Sequence, residues 1–203
     1  MSGSGMTRPT NGFNYSNAIR RVCEDFTLRL PVFSQIQMDK VGISFVRARN
    51  RELYGVYASM TPLRFQNGAV RTVRDGVTYE IPPVYDRRKR PLLYVLSIYS
   101  PRFIDLPLRE KIETLIHELY HIGPDFDGDI RRFGERFYAH GASKKDYDRK
   151  VARMAREWLG MDPPPELWDF LRYDFNTLSA KRGRIIGTRV KIPSLRPVVG
   201  GES

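Results

Sequence analysis

This chain of 203 residues has one cysteine, three histidines, a shortage of acidic residues and no apolar run of membrane-spanning length. The lone Cys23 excludes an internal disulfide and a cysteine-built zinc site. It falls in a helical pattern with Ile19, Val22 and Phe26, so it reads as a small buried hydrophobe rather than a nucleophile. A membrane-spanning helix needs roughly 20 consecutive apolar residues, and no such stretch exists. The opening MSGSGMTRPTNGFNYS has no apolar h-region, so no secretory signal is expected and the cytoplasm is the default compartment. Asp and Glu number 23 against 34 Lys and Arg, a formal charge of +11. That excess favours anionic partners, DNA or RNA above all, and its bland counterpart is a soluble basic surface.

The scarcity of histidine makes its placement informative. All three lie close together, at His117, His121 and His140, and the first two bracket the run His117-Glu118-Leu119-Tyr120-His121. On a helix, residues four apart share one face, so both imidazoles can reach one metal ion. The glutamate beside the first histidine then stands next to the ion's open side, where it can take a proton from water. A catalytic zinc usually has three protein ligands and one open position. For the third ligand the sequence offers His140, Asp125, Asp127, Asp129 and Glu135, with His140 preferred because neutral imidazole adds no negative charge. A zinc that merely stapled the fold would want four ligands and would have no use for Glu118. Zn2+ is therefore the expected cofactor and Glu118 the general base. An oxyanion donor is also needed, and Tyr138 is assigned that role, with Tyr147 as the other candidate.

The cluster Asp125-Phe126-Asp127-Gly128-Asp129 superficially suggests calcium. EF-hand spacing fails, because the glycine is at loop position four and Arg136 stands where the glutamate belongs. Two readings stay open: a carboxylate that steadies a zinc histidine, or a turn ion-paired to Arg131 and Arg132.

Hydrophobic patterning frames these residues. Residues 1–12 are polar, Gly-rich and expected to be flexible. A helix is predicted from Ser16 to Leu28, stopped by Pro31. Val41, Ile43 and Phe45 alternate as a strand ending at Arg47-Ala48-Arg49, and Tyr54 to Leu63 suits a second strand. Asn67-Gly68 and Asp75-Gly76 signal a small β-excursion, and Arg87 to Arg90 form a basic loop. Leu92 to Tyr99 is apolar enough to be a central strand. Pro107 opens the metal helix and Gly123-Pro124 stop it. Further helices are predicted over Lys145–Leu159 and Glu166–Ala180, with Trp158 and Trp168 as core anchors. From Lys181 the chain is basic, and RIIGTRVKI either docks as a strand or stays loose.

The stretch from Leu92 to Val151 resembles the putative phage metallopeptidase family. The marks are Pro-Arg-Phe before the helix, HELYHI, the Asp-Gly-Asp-x-Arg-Arg-Phe turn, Tyr-x-His-Gly and the Arg47-Ala48-Arg49 strand end, together covering roughly residues 40–160. The layout is more distantly similar to SprT-like (Spartan-type) zincins, whose third histidine precedes a glycine as His140 precedes Gly141. The metzincin pattern does not fit, since glycine is at 123 rather than 124 and no histidine stands at 127.

These resemblances imply a minimal zincin-like fold of the α+β class. It would have a small mixed sheet, an N-terminal helix, the His-Glu-x-x-His helix and C-terminal helices. The expected organisation is a flexible 1–12, a metallopeptidase domain over 13–180 and a basic tail over 181–203. The expected activity is zinc-dependent hydrolysis of peptide bonds in a peptide or protein substrate, with proteins held on nucleic acid among the targets. No membrane partner is expected. The alternative is a nucleic-acid-binding protein whose zinc site is structural or vestigial.

Overall fold

The structure is a computed structural model and describes residues 12–48, 55–132 and 144–198. Tyr138 and His140 lie outside the described residues, as do Glu135, Arg136, Arg49, Tyr54 and the N-terminal stretch up to residue 11.

The chain builds, in order, β1 (Phe13–Asn14), α1 (Tyr15–Arg29), β2 (Val41–Arg47), β3 (Ala58–Pro62), β4 (Arg71–Arg74), β5 (Val77–Glu80) and β6 (Tyr94–Ser100). It continues with α2 (Leu108–Tyr120), α3 (Lys144–Gly160), α4 (Pro165–Trp168), α5 (Phe175–Arg182), β7 (Ile185–Ile186) and β8 (Arg196–Pro197). The main sheet has the order β2-β6-β3. β6 lies in the middle, parallel to β2 and antiparallel to β3, and all but one of its residues are buried. A strand covered on both faces needs a near-continuous apolar run, which 92–99 supplies. The expected small mixed sheet is present. The β-excursion is a second sheet, β4-β5-β8, whose third strand comes from the far C-terminus.

α1 starts where the Asn14 side chain accepts the N–H of Asn17 at 3.0 Å, satisfying one orphan donor of the first turn. It buries Tyr15, Ile19, Val22, Cys23 and Phe26, and burial pushes the Cys23 thiol up to about 12, so that side chain is core. α3 is anchored by Trp158, which is fully buried, packs edge-on against Phe26 at 4.7 Å and donates its indole N–H to Asp25 at 2.7 Å. Trp168 is only half-buried, with Arg172 over its ring at 4.7 Å, so it covers the core rather than anchoring it.

The single helix expected over Glu166–Ala180 is instead three pieces. α4 gives way to a 3-10 turn at Asp169–Arg172, Tyr173 is extended, and α5 begins afresh where the Asp174 carboxylate accepts the N–H of Thr177 at 2.7 Å. A strong N-cap at position 174 outweighed the helical periodicity on either side of it.

The break has a partner inside α2. Lys111 is 1% exposed, and its ammonium donates to the carbonyls of Leu171 and Tyr173, each at 2.8 Å. Burial pulls its pKa down to about 8, against the raising pull of Asp105 and Asp174. A neutral amine keeps two N–H groups, enough for both carbonyls, so losing the third proton costs no hydrogen bond. The folded pKa lies below the unfolded one, so stability rises with pH between about 8 and 10.5 and the full cost of burying the charge stands below that window. The stability gap between wild type and Lys111→Met should therefore shift towards wild type by about 3 kcal/mol across that window. Urea unfolding of both proteins at successive pH values reads the shift, and a constant gap would refute it.

Candidate metal centre

α2 owes its position to its apolar stripe. Ile112, Leu115, Ile116 and Leu119 are all fully buried against the main sheet and neighbouring helices. Burial of each such side chain is worth about 1.5–3 kcal/mol, which fixes the helix rotation to within one residue. Turning that stripe inward leaves His117 and His121 half-buried on the flank facing β3 and α3. The helix end is tightened, with His121 N–H donating to the Glu118 carbonyl at 3.2 Å. Its last carbonyls are satisfied from the following turn: Arg131 N–H reaches the His121 carbonyl at 2.7 Å and Arg131 Nε reaches that of Tyr120 at 2.9 Å.

The helical spacing brings the two imidazoles together as expected. Their Nε2 atoms are 3.0 Å apart, and with the Glu118 carboxylate they form a group whose ligand atoms all lie within 4.8 Å of one another. Zinc–imidazole bonds are about 2.0–2.1 Å, so one ion can touch both nitrogens at that separation. Two imidazoles and a carboxylate are a donor set that suits a zinc-type ion.

Glu118 is 8% exposed, and one carboxylate oxygen accepts the backbone N–H of Met60 at 2.7 Å. Burial pushes its pKa up to about 7, against the lowering effect of that hydrogen bond. The bond follows from the sheet register. Tyr99 N–H donates to the Tyr57 carbonyl and Leu63 N–H to that of Leu93, so odd residues of this strand face β6 and Ala58, Met60 and Pro62 turn their polar groups to the open edge. Nothing in the sequence pairs Glu118 with Met60, 58 residues away; only the fold does.

The hydroxyl of Tyr147, on α3, donates to the His117 carbonyl at 3.2 Å, and its ring lies 4.9 Å from that of His117 and 6.0 Å from that of His121. It packs against both imidazoles. The open side of the group faces a cleft of about 360 Å3 between residues 55–58, α2 and α3. Glu110, Glu113 and Asp148 line it, and among the described residues no Lys or Arg does. A larger concavity exists elsewhere, but the converging nitrogens and the buried carboxylate are here.

In the acidic turn, the ion pair to Arg132 expected by one of the two readings is present. Asp129 is buried and bridges Arg132 at 2.9 Å, while also accepting the N–H groups of Asn67 and Ile130. Asp127 accepts the N–H of Asp129, and the Tyr94 hydroxyl ties the turn to β6 by bonds to Gly128 N–H and the Asp129 carbonyl. Arg131 lies instead over the Tyr120 ring at 4.4 Å. Lys111 lies four residues before Leu115 and eight before Leu119, a spacing that puts it on the same buried stripe although its charge marks it as a surface residue.

Among the described residues no helix is long and apolar enough to cross a membrane. Residues 13–158 match a family described as Putative phage metallopeptidase. No curated protein and no solved structure matches the chain.

Proposed function

The chain belongs to the putative phage metallopeptidase family, and from that premise we propose that it is a zinc-dependent peptidase of minimal zincin-like fold. The observation that carries this reading is the 3.0 Å convergence of the His117 and His121 nitrogens beside a buried glutamate. His117 and His121 would hold the ion, with His140 as third ligand. When bound, such an ion makes hydroxide available near neutral pH and polarises a carbonyl.

The chain's own residues do the rest. With its pKa pushed up to about 7, Glu118 exchanges a proton near neutral pH: its carboxylate can take one from the attacking water, and the acid so formed can release it to the leaving amine. The open edge of β3 offers the N–H and carbonyl of Ala58 and the carbonyls of Met60 and Pro62 to an extended substrate, by strand addition. Tyr138 is assigned to the developing oxyanion. Proteins held on nucleic acid are among the proposed substrates, a reading supported by the +11 charge.

Metal analysis tests the centre. Wild type should carry one zinc per chain, and His117→Ala and His140→Ala should each weaken zinc binding by at least about 100-fold, since outer-shell changes alone cost 10–100-fold. Hydrolysis should stop on chelation and return with zinc. Full zinc retention in both variants would sink the assignment.

A further inference from the structure

A concavity of about 1320 Å3 runs along the β2 margin of the main sheet, opposite the β3 margin where Glu118 sits. Its two facing walls come from segments about a hundred residues apart, 82–92 and 187–196, and its floor includes Arg20 and Glu24 of α1 and Gly42 and Ile43 of β2. Segment 187–192 is strapped to the sheet margin. Phe45 N–H donates to the Thr188 carbonyl at 2.7 Å, Thr188 N–H to the Ser16 hydroxyl at 2.9 Å and Val190 N–H to the Ser44 hydroxyl at 3.1 Å. Val190 packs on Leu63, Leu92 and Val95. With Val190 turned inward, the neighbours Arg189 and Lys191 are exposed. On the facing wall Asp86 accepts the N–H groups of Arg88 and Arg90 at 2.8 Å each and pairs with the Arg90 guanidinium. That fixes the loop, and Arg87 and Arg88 stand exposed.

Arg87, Arg88, Arg189, Lys191 and Arg196 all line this groove, and none has an ion pair among the described residues. Of the three acidic residues lining it, Asp39 and Asp86 are both paired with Arg90, and Glu24 of α1 is the one carboxylate without an ion pair among the described residues. The cations come from both walls, and the space exceeds the roughly 300–1,000 Å3 of a small-ligand pocket. Tyr85, 55% exposed, adds a ring on which a base can stack.

We propose that this groove binds the phosphate backbone of a nucleic acid through those five side chains. The proposal deepens the nucleic-acid part of the reading above and is independent of its catalytic part. Because the groove lies at the far margin of the sheet, bound nucleic acid leaves the metal-centre cleft open to a protein substrate.

The test is fluorescence anisotropy of the full chain with a labelled oligonucleotide of about 20 nucleotides, as duplex and as single strand, between 50 and 200 mM salt. Five phosphate contacts give a log–log salt slope of about −4.5 on duplex and −3.5 on a single strand. Affinity should then fall about 500-fold or about 100-fold across that fourfold change in salt. Arg87→Ala/Arg88→Ala and Arg189→Ala/Lys191→Ala should each reduce the slope by about 2, and adding Arg196→Ala to both should remove nearly all of it. Each variant's thermal melt checks that it is folded, and the two double variants keep the test open if the fivefold one is not. Arg153→Ala/Arg156→Ala, on the exposed side of α3, is the control and should change affinity less than about threefold. Three results overturn the proposal: no binding at 50 mM salt, a control that loses as much as the groove variants, or polyglutamate displacing the oligonucleotide as well as unlabelled DNA does. Binding that survives in a protein with no peptidase activity sinks the catalytic reading alone.

Discussion

Glu118→Gln should lower peptide hydrolysis by about 100- to 10,000-fold, the span a positioned general base contributes, while zinc content stays at the wild-type level. The amide keeps an oxygen to accept the Met60 N–H and fills the same volume, so neither the helix nor the edge of β3 loses its partner. Only the ability to take a proton goes. Paired with the metal analysis, this variant separates a catalytic centre from a structural one, because a stapling ion has no use for the carboxylate. Equal activity in wild type and variant, at equal zinc, would defeat the enzyme reading. Zinc loss in Glu118→Gln would instead make Glu118 a ligand.

The second large effect is on stability. Trp158→Ala should destabilise the fold by about 3–5 kcal/mol, the cost of a large cavity in a core that cannot fully collapse. At about 2–4 °C per kcal/mol for a chain of this size, the melting temperature should drop by roughly 6–20 °C. Trp158 is fully buried between α1 and α3, and its loss also removes an indole N–H from Asp25, which retains its 2.9 Å ion pair with Arg29. Trp168→Ala should cost well under half as much, since its ring is half-buried and lies under a guanidinium. Calorimetry of the two variants side by side decides it; equal losses would show that burial does not set the cost here.

What could be read from the chain is what local spacing encodes. The approach of His117 to His121, with Glu118 beside them, needs only one helical turn, and the central position of 94–100 needs only its near-continuous apolarity. The β4–β5 hairpin followed from Asp75-Gly76, whereas Asn67-Gly68, expected to signal a hairpin too, lies in a 3-10 turn. Contacts across long separations were hidden. Periodicity does not say that Met60 meets Glu118, that Lys111 reaches through the core to Leu171 and Tyr173, or that 187–190 lies along β2. The helix expected over 166–180 failed for a different reason. Asp174 lies inside that span, and its carboxylate caps and starts a new helix.

A three-stranded sheet has two margins, and an open strand margin is a template on which other chains can polymerise. Here neither is bare. The 187–190 segment lies along one, and on the other Glu118 covers the Met60 N–H midway along the strand. The same carboxylate thus discourages edge-to-edge aggregation in the resting protein, and an incoming chain must displace or share that contact before it can lie down beside the metal helix.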